Sequence, residues 1–180
     1  MLEKSIITYA ALTLSKQKSA SLFTQNIDEI DIEKEIRNSN KILNPKNVYI
    51  TILKKDNNRA LIYVYRKDLV FNDLNKKDAK AYLTKLGYDT TEIKKCIEKL
   101  KNRVSFKIFP HEIGFFLGYP CEDVLGFIEN KGCNFKYCGY WKVYGNCNAC
   151  IQKFNRFNKI RRSYEILHLR GKSLERLCIA

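Results

Sequence analysis

Two runs, Val48-Tyr-Ile-Thr-Ile-Leu53 and Ala60-Leu-Ile-Tyr-Val-Tyr65, constrain this chain more than any other feature. Both are built from β-branched and aromatic residues, which sit well on a pleated surface. Between them lies Lys54-Lys-Asp-Asn-Asn-Arg59, where Asp56, Asn57 and Asn58 tolerate the positive φ of a turn. The pattern predicts a hairpin over 48–65. Apolar residues occupy nearly every position of each run rather than alternate ones. A strand of that kind is buried on both faces, so the hairpin requires helices above and below it.

Helix signals flank the hairpin. Residues 11–24 are helix-compatible through Leu12, Leu22 and Phe23. A second helix is expected over 29–43, capped by Asp28 or Asp31, with Ile32, Ile36 and Ile42 on one side and Asn44-Pro45 as its stop. Residues 75–86 follow, ended by Gly87. Another helix spans 90–103, with Thr90 or Thr91 as cap and Ile93, Ile97 and Leu100 at helical spacing. Pro110 and Pro120 each stand where a first helical turn begins. Glu122 and Asp123 then suit a helix N-terminus, and Gly132 closes that helix. Residues 135–144 read as a strand or an aromatic loop. A long helix over 148–169 carries Cys150, Phe154, Phe157, Ile160, Tyr164 and Leu167 on one stripe. The expectation is an α+β fold: six or seven helices around a small, mostly antiparallel sheet, in a single domain over residues 1–180.

The charge is uneven. The chain of 180 residues has a formal net charge of +14. Residues 131–180 carry most of it, with Glu165 and Glu175 as their only acids. Lys153, Arg156, Lys159, Arg161 and Arg162 fall on the outer face of the long helix. Such a face is usually a solvated one, and its alternative is an acidic partner, protein or nucleic acid. A coding bias towards Lys, Asn and Ile gives similar charge with no partner at all. No apolar stretch approaches the length of a membrane span and no export signal opens the chain, so the cytoplasm is the expected location.

Seven cysteines without an export signal argue against a disulfide framework. Cys133, Cys138, Cys147 and Cys150 lie close in sequence, but their spacing is not that of a paired zinc motif. Incidental free thiols are the leading reading, ahead of a zinc site or a Cys147/Cys150 dithiol, and no metal ligands are assigned. No cofactor is named by any motif: a P-loop, a dinucleotide fingerprint and a serine elbow are all missing from the sequence.

The stretch from Phe109 to Gly145 is the candidate site. Tyr137, Tyr140, Trp141 and Tyr144 alternate with Lys136 and Lys142. Aromatics with cations hold a flat ligand such as a flavin or porphyrin, stack bases, or form a protein-binding hot spot. They equally make a half-buried aromatic strand. His111-Glu112 fails the H-E-x-x-H test, because position 115 is Phe, and no deaminase pattern follows Pro120-Cys121. A helix start is the plainer account of that pair. The leading expectation is an accessory or binding protein whose ligand surface joins His111, Glu112, Tyr119, Trp141, Lys142 and Tyr144, with Arg59 and Arg66 of the hairpin nearby. Two alternatives stand beside it: an enzyme using His111 and Glu112 as acid and base, and nucleic-acid binding through Lys153, Arg156, Lys159, Arg161 and Arg162.

Phe109-Pro-His-Glu-Ile-Gly, Phe116-Leu-Gly-Tyr-Pro120, Glu122-Asp-Val, Gly126-Phe-Ile and Gly139-Tyr-Trp-Lys-Val-Tyr-Gly145 carry a family resemblance. Weaker matches at Thr13-Leu14, Lys18, Leu22-Phe23, Arg59, Tyr65-Arg66 and Ser173-Leu-Glu-Arg extend it to nearly the whole chain. The chain resembles an uncharacterised bacterial, largely clostridial, domain-of-unknown-function family. The resemblance brings no established activity and implies at most a link to redox or iron metabolism. The N-terminal Cys-x-Pro-Thr-Leu pattern of that family is not kept. Ala10 and Ala11 precede Leu12-Thr13-Leu14 here, so no thiol chemistry is implied at that end.

Overall fold

The computed structural model describes residues 2–28, 30–104 and 109–180. The hairpin is present as β2 (Val48–Lys55) and β3 (Arg59–Arg66), paired antiparallel with Ile50 opposite Val64. A third strand, β1 (Ala20–Asn26), pairs antiparallel along the other edge of β3 and gives the order β1-β3-β2. The central strand is β3, and it is buried on both sides as its continuous apolar run requires.

Alternate residues of β3 feed two separate cores. Ala60, Ile62 and Val64 join one face, covered by α1 (Leu2–Leu14), α2 (Ile32–Leu43), and two elements of the C-terminal end, α8 (Cys147–Leu169) and α9 (Leu174–Leu177). Leu61 and Tyr63 join the opposite face. Its cover is α3 (Lys67–Leu74), α4 (Lys77–Lys85), α5 (Ile93–Arg103), α6 (Ile113–Phe116) and α7 (Cys121–Glu129). Tyr63 also donates its hydroxyl to the Phe116 carbonyl at 2.6 Å, which fixes α6 to the sheet. A short hairpin of β4 (Tyr137–Cys138) and β5 (Lys142–Val143) completes the fold. The described residues thus form an α+β structure with nine helices, two of them single turns, rather than six or seven.

Several sequence expectations hold closely. Asp31 caps α2, accepting from the Lys34 amide at 2.9 Å. That helix was expected from 29, and Glu29 lies outside the described residues. Gly87 and Gly132 both take positive φ after a helix. The stripe on α8 packs inward through Cys150, Phe154, Phe157 and Tyr164, with Asn146 as its cap.

The expected helix over 11–24 is corrected. Helix α1 occupies 2–14 instead, Lys16 turns the chain at φ 59°, and residues 20–26 are a strand. Pairing decides the outcome, because the free edge of β3 takes up Ala20–Asn26 and overrides a helix-compatible segment. The helix expected over 75–86 proves to be α4, preceded by the unforeseen α3. The two part at Asn75, whose amide nitrogen donates to the carbonyls of Phe71 and Thr90, each at 3.0 Å.

Arg66 is the largest correction to a single residue. Expected near a ligand surface, it is fully buried. Its guanidinium donates to the carbonyls of Thr13 and Leu14 at 2.7 Å, of Ile179 at 2.6 Å and of Lys46 at 3.2 Å. The last carbonyls of α1 lack partners within the helix and lie at the negative end of its dipole, so they hold a cation well even though Thr13 also accepts from the Lys16 amide and Leu14 from that of Ile179. Burial lowers the Arg66 pKa from its ordinary value.

Candidate functional site

Between α7 and the β4–β5 hairpin a cleft of about 380 Å³ opens. Its walls are largely aromatic: Phe109, Tyr119, Phe127, Tyr140 and Trp141, with His111, Lys142 and the buried Asp123 among the polar side chains that line it. Such a volume lies at the small end of ligand-binding clefts.

The wall is rigid for identifiable reasons. Trp141 stacks on Tyr119 with ring centroids 4.9 Å apart and meets Phe154 edge-on at 4.5 Å. Its indole N–H donates to Asp123 Oδ2 at 2.7 Å. The other oxygen of Asp123 accepts from the backbone amides of Tyr144 at 2.7 Å and Gly145 at 2.9 Å. Asp123 is therefore buried with at least three donors and no cation among them. Burial, followed by Asp123, raises the thiol pKa of Cys150, whose sulfur lies 3.8 Å from the same carboxylate. Glycine permits the close packing: a Cβ on Gly126 would come within 2.6 Å of Tyr144, and one on Gly139 would overlap the Phe154 ring.

Four of the eight expected ligand residues line the cleft: His111, Tyr119, Trp141 and Lys142. His111 meets Phe127 edge-on at 5.1 Å. The Lys142 ammonium donates to the Gly132 carbonyl at 2.8 Å and lies 4.7 Å from the Phe135 ring centre. Tyr144 backs the hairpin, donating its hydroxyl to the Cys133 carbonyl at 2.9 Å. Glu112 faces away from the cleft and is buried. It accepts from Arg103 Nε and, at 3.0 Å, from the Tyr88 hydroxyl. Burial and then this carboxylate push the Tyr88 pKa far up. Arg59 sits at the sheet hairpin on Asp56, at 2.8 Å, and does not line the cleft.

Asp123 is the residue that sequence reasoning missed. An acid three places after Pro120 looks like a partner for the helix dipole, and only the Trp141, Tyr144 and Gly145 donors downstream reveal its task.

On α8, Lys153, Arg156, Lys159 and Arg162 are exposed and Arg161 is half-buried. Lys153 stands 5.6 Å from the Trp141 ring centre, on the outer side of the aromatic wall. The seven cysteines are free thiols, with Cys133 and Cys138 exposed and Cys150 buried. Among the described residues no three His, Cys, Asp or Glu side chains converge on a metal-holding position. None of their helices is long and apolar enough to cross a membrane.

Fold and cleft together define an α+β protein with a rigid aromatic hollow between α7 and the β4–β5 hairpin. The chain belongs to the family described as "Protein of unknown function (DUF3793)", whose model matches residues 6–178. No curated protein and no solved structure matches the chain.

Proposed function

We propose that this is a cytoplasmic binding protein whose aromatic cleft takes a flat, largely apolar small molecule. The observation that carries the reading is the Tyr119–Trp141 stack, held by the buried Asp123 carboxylate at the wall of an open cleft. A stack anchored that firmly is preorganised, so a planar guest loses little to rearrangement on entry. His111 and Lys142 supply polar contacts at the rim. A flavin or porphyrin fits this chemistry and gives content to the link with redox or iron metabolism. The cleft offers binding more readily than acid–base work, since Glu112 is engaged by Arg103 and Tyr88.

Trp141 is the only tryptophan of the chain, so its fluorescence reports from the cleft wall itself. Titration with flavin mononucleotide and with haemin is expected to quench it saturably for one of the two. Phe109→Ala and His111→Ala, both at the rim, should weaken that binding about tenfold or more at unchanged stability. Loss of saturable quenching by both ligands, or equal binding by both variants, overturns the proposal.

A further inference from the structure

A second hollow, of about 190 Å³, lies on the outer side of the same wall between α1, the start of β1 and α8. Lys18 and Arg161 line it together with Tyr9, Ser21 and Tyr140, and no carboxylate does. The Lys18 ammonium stands 4.8 Å from the Tyr119 ring centre. Lys153 approaches from α8, against Trp141 and Phe157. Among the described residues none of these three cations has an acidic partner within ion-pair distance.

Like charges brought together in a partly desolvated place are unfavourable unless an anion joins them. Burial first, and the neighbouring Lys153 charge second, lower the Lys18 pKa to about 7. The titratable groups that line the hollow with Lys18 or act on it directly are Lys153 and Arg161 from α8, Tyr9 from α1, and Tyr119 and Tyr140 from the wall, while the Asp73 carboxylate of α3 accepts from the hydroxyl of the adjacent Ser19 and does not line the hollow. Burial raises Tyr119 to about 12, so it stays neutral and adds no anion. Tyr140 already donates its hydroxyl to Asn158 at 2.9 Å. The hollow is small and lined in part by the phenol rings of Tyr9 and Tyr140, which suits a compact tetrahedral anion better than an extended chain.

We propose that Lys18 and Arg161, with Lys153 beside them, form a binding site for a phosphoryl oxyanion, carried either by inorganic phosphate or by a small phosphomonoester. The proposal stands independently of the aromatic cleft, because no residue of its cationic set lines that cleft. An entering dianion restores the proton to Lys18, so binding above neutral pH takes up a proton.

Isothermal titration of the full chain tests this, using inorganic phosphate, adenosine monophosphate, sulfate and a mixed-sequence single-stranded oligonucleotide. Sulfate does not titrate in the range used, so its pH dependence belongs to the protein. Saturable binding of one ion per chain is expected, weakened about tenfold or more by Lys18→Met and by Arg161→Gln and unchanged by Arg37→Gln on α2. Between pH 7 and 9 sulfate affinity should fall by up to about tenfold per unit. Tighter binding of adenosine monophosphate than of phosphate identifies a phosphomonoester, and the reverse identifies the free ion. No saturable heat with any small anion, equal binding by both variants, or binding of the oligonucleotide alone overturns the site. Denaturation curves of the variants separate a lost site from a lost fold.

Discussion

Two buried carboxylates, eleven positions apart in the chain, are satisfied in opposite ways. Glu112 has a cation, Arg103, and a phenol, Tyr88, and so ties the end of α5 to the start of α6. Asp123 has an indole N–H and two backbone amides, and no cation. The first arrangement joins two helices through a charge pair that reaches solvent on the arginine side. The second organises a surface: one carboxylate sets the indole plane, the hairpin backbone and the helix start together. An anion held by neutral donors in fixed positions is a shaping element, whereas an ion pair is a clasp.

The contrast can be broken by removing each acceptor system in turn. Asp123→Ala should have the largest effect, about 3–5 kcal/mol, since it leaves three donors unpaired in a buried place. Denaturant unfolding measures the loss, and a red shift of Trp141 emission should accompany it. Arg103→Ala should cost less, about 2–3 kcal/mol, because the arginine side chain is 38% exposed and water partly replaces it for Glu112. Adding Glu112→Gln to that variant should recover much of the loss. A double-mutant cycle showing no coupling would mean that the clasp carries no energy.

The smallest effect concerns Lys18, whose charge has no clasp. Its folded pKa is depressed to about 7 from an ordinary value of 10.5. The unfolded chain binds more protons between those values, so this group makes stability rise as pH increases from 7 towards 10.5. Below pH 7 both states are protonated and the cost of burying the charge is fully present. Lys18→Met should raise Tm modestly at neutral pH, with about 2–4 °C per kcal/mol for a chain of this size, and should flatten that slope. A fall in Tm at pH 7 would show that the cation is needed where it stands.

The sequence disclosed the parts of this fold whose signals are local. The hairpin was readable because Val48–Leu53 and Ala60–Tyr65 are apolar at almost every position, and α8 because its stripe persists from Cys150 to Leu167, about five turns. Strand β1 was not, since Ala20–Asn26 contains only Leu22 and Phe23 as large apolar residues and its partner strand begins some thirty positions later. Of the cleft, the aromatic and cationic members were visible as composition. Asp123, Glu112 and Arg66 were not readable as buried, because a charged side chain looks the same in sequence whether water or protein satisfies it. Their partners come from distant stretches: Trp141 for Asp123, Arg103 and Tyr88 for Glu112, Ile179 for Arg66.

That last contact bears on the order in which a nascent chain can mature. Arg66 lies in the middle strand, yet one of its acceptors is the carbonyl of Ile179, and the Ile179 amide in turn donates to Leu14 at 3.1 Å. While residue 179 is still in the ribosomal tunnel, the sheet can be complete on the residues already made, but its buried guanidinium is one acceptor short. Helix α1 and the central strand therefore gain their full set of partners only once residue 179 has emerged, more than a hundred positions after the strand itself.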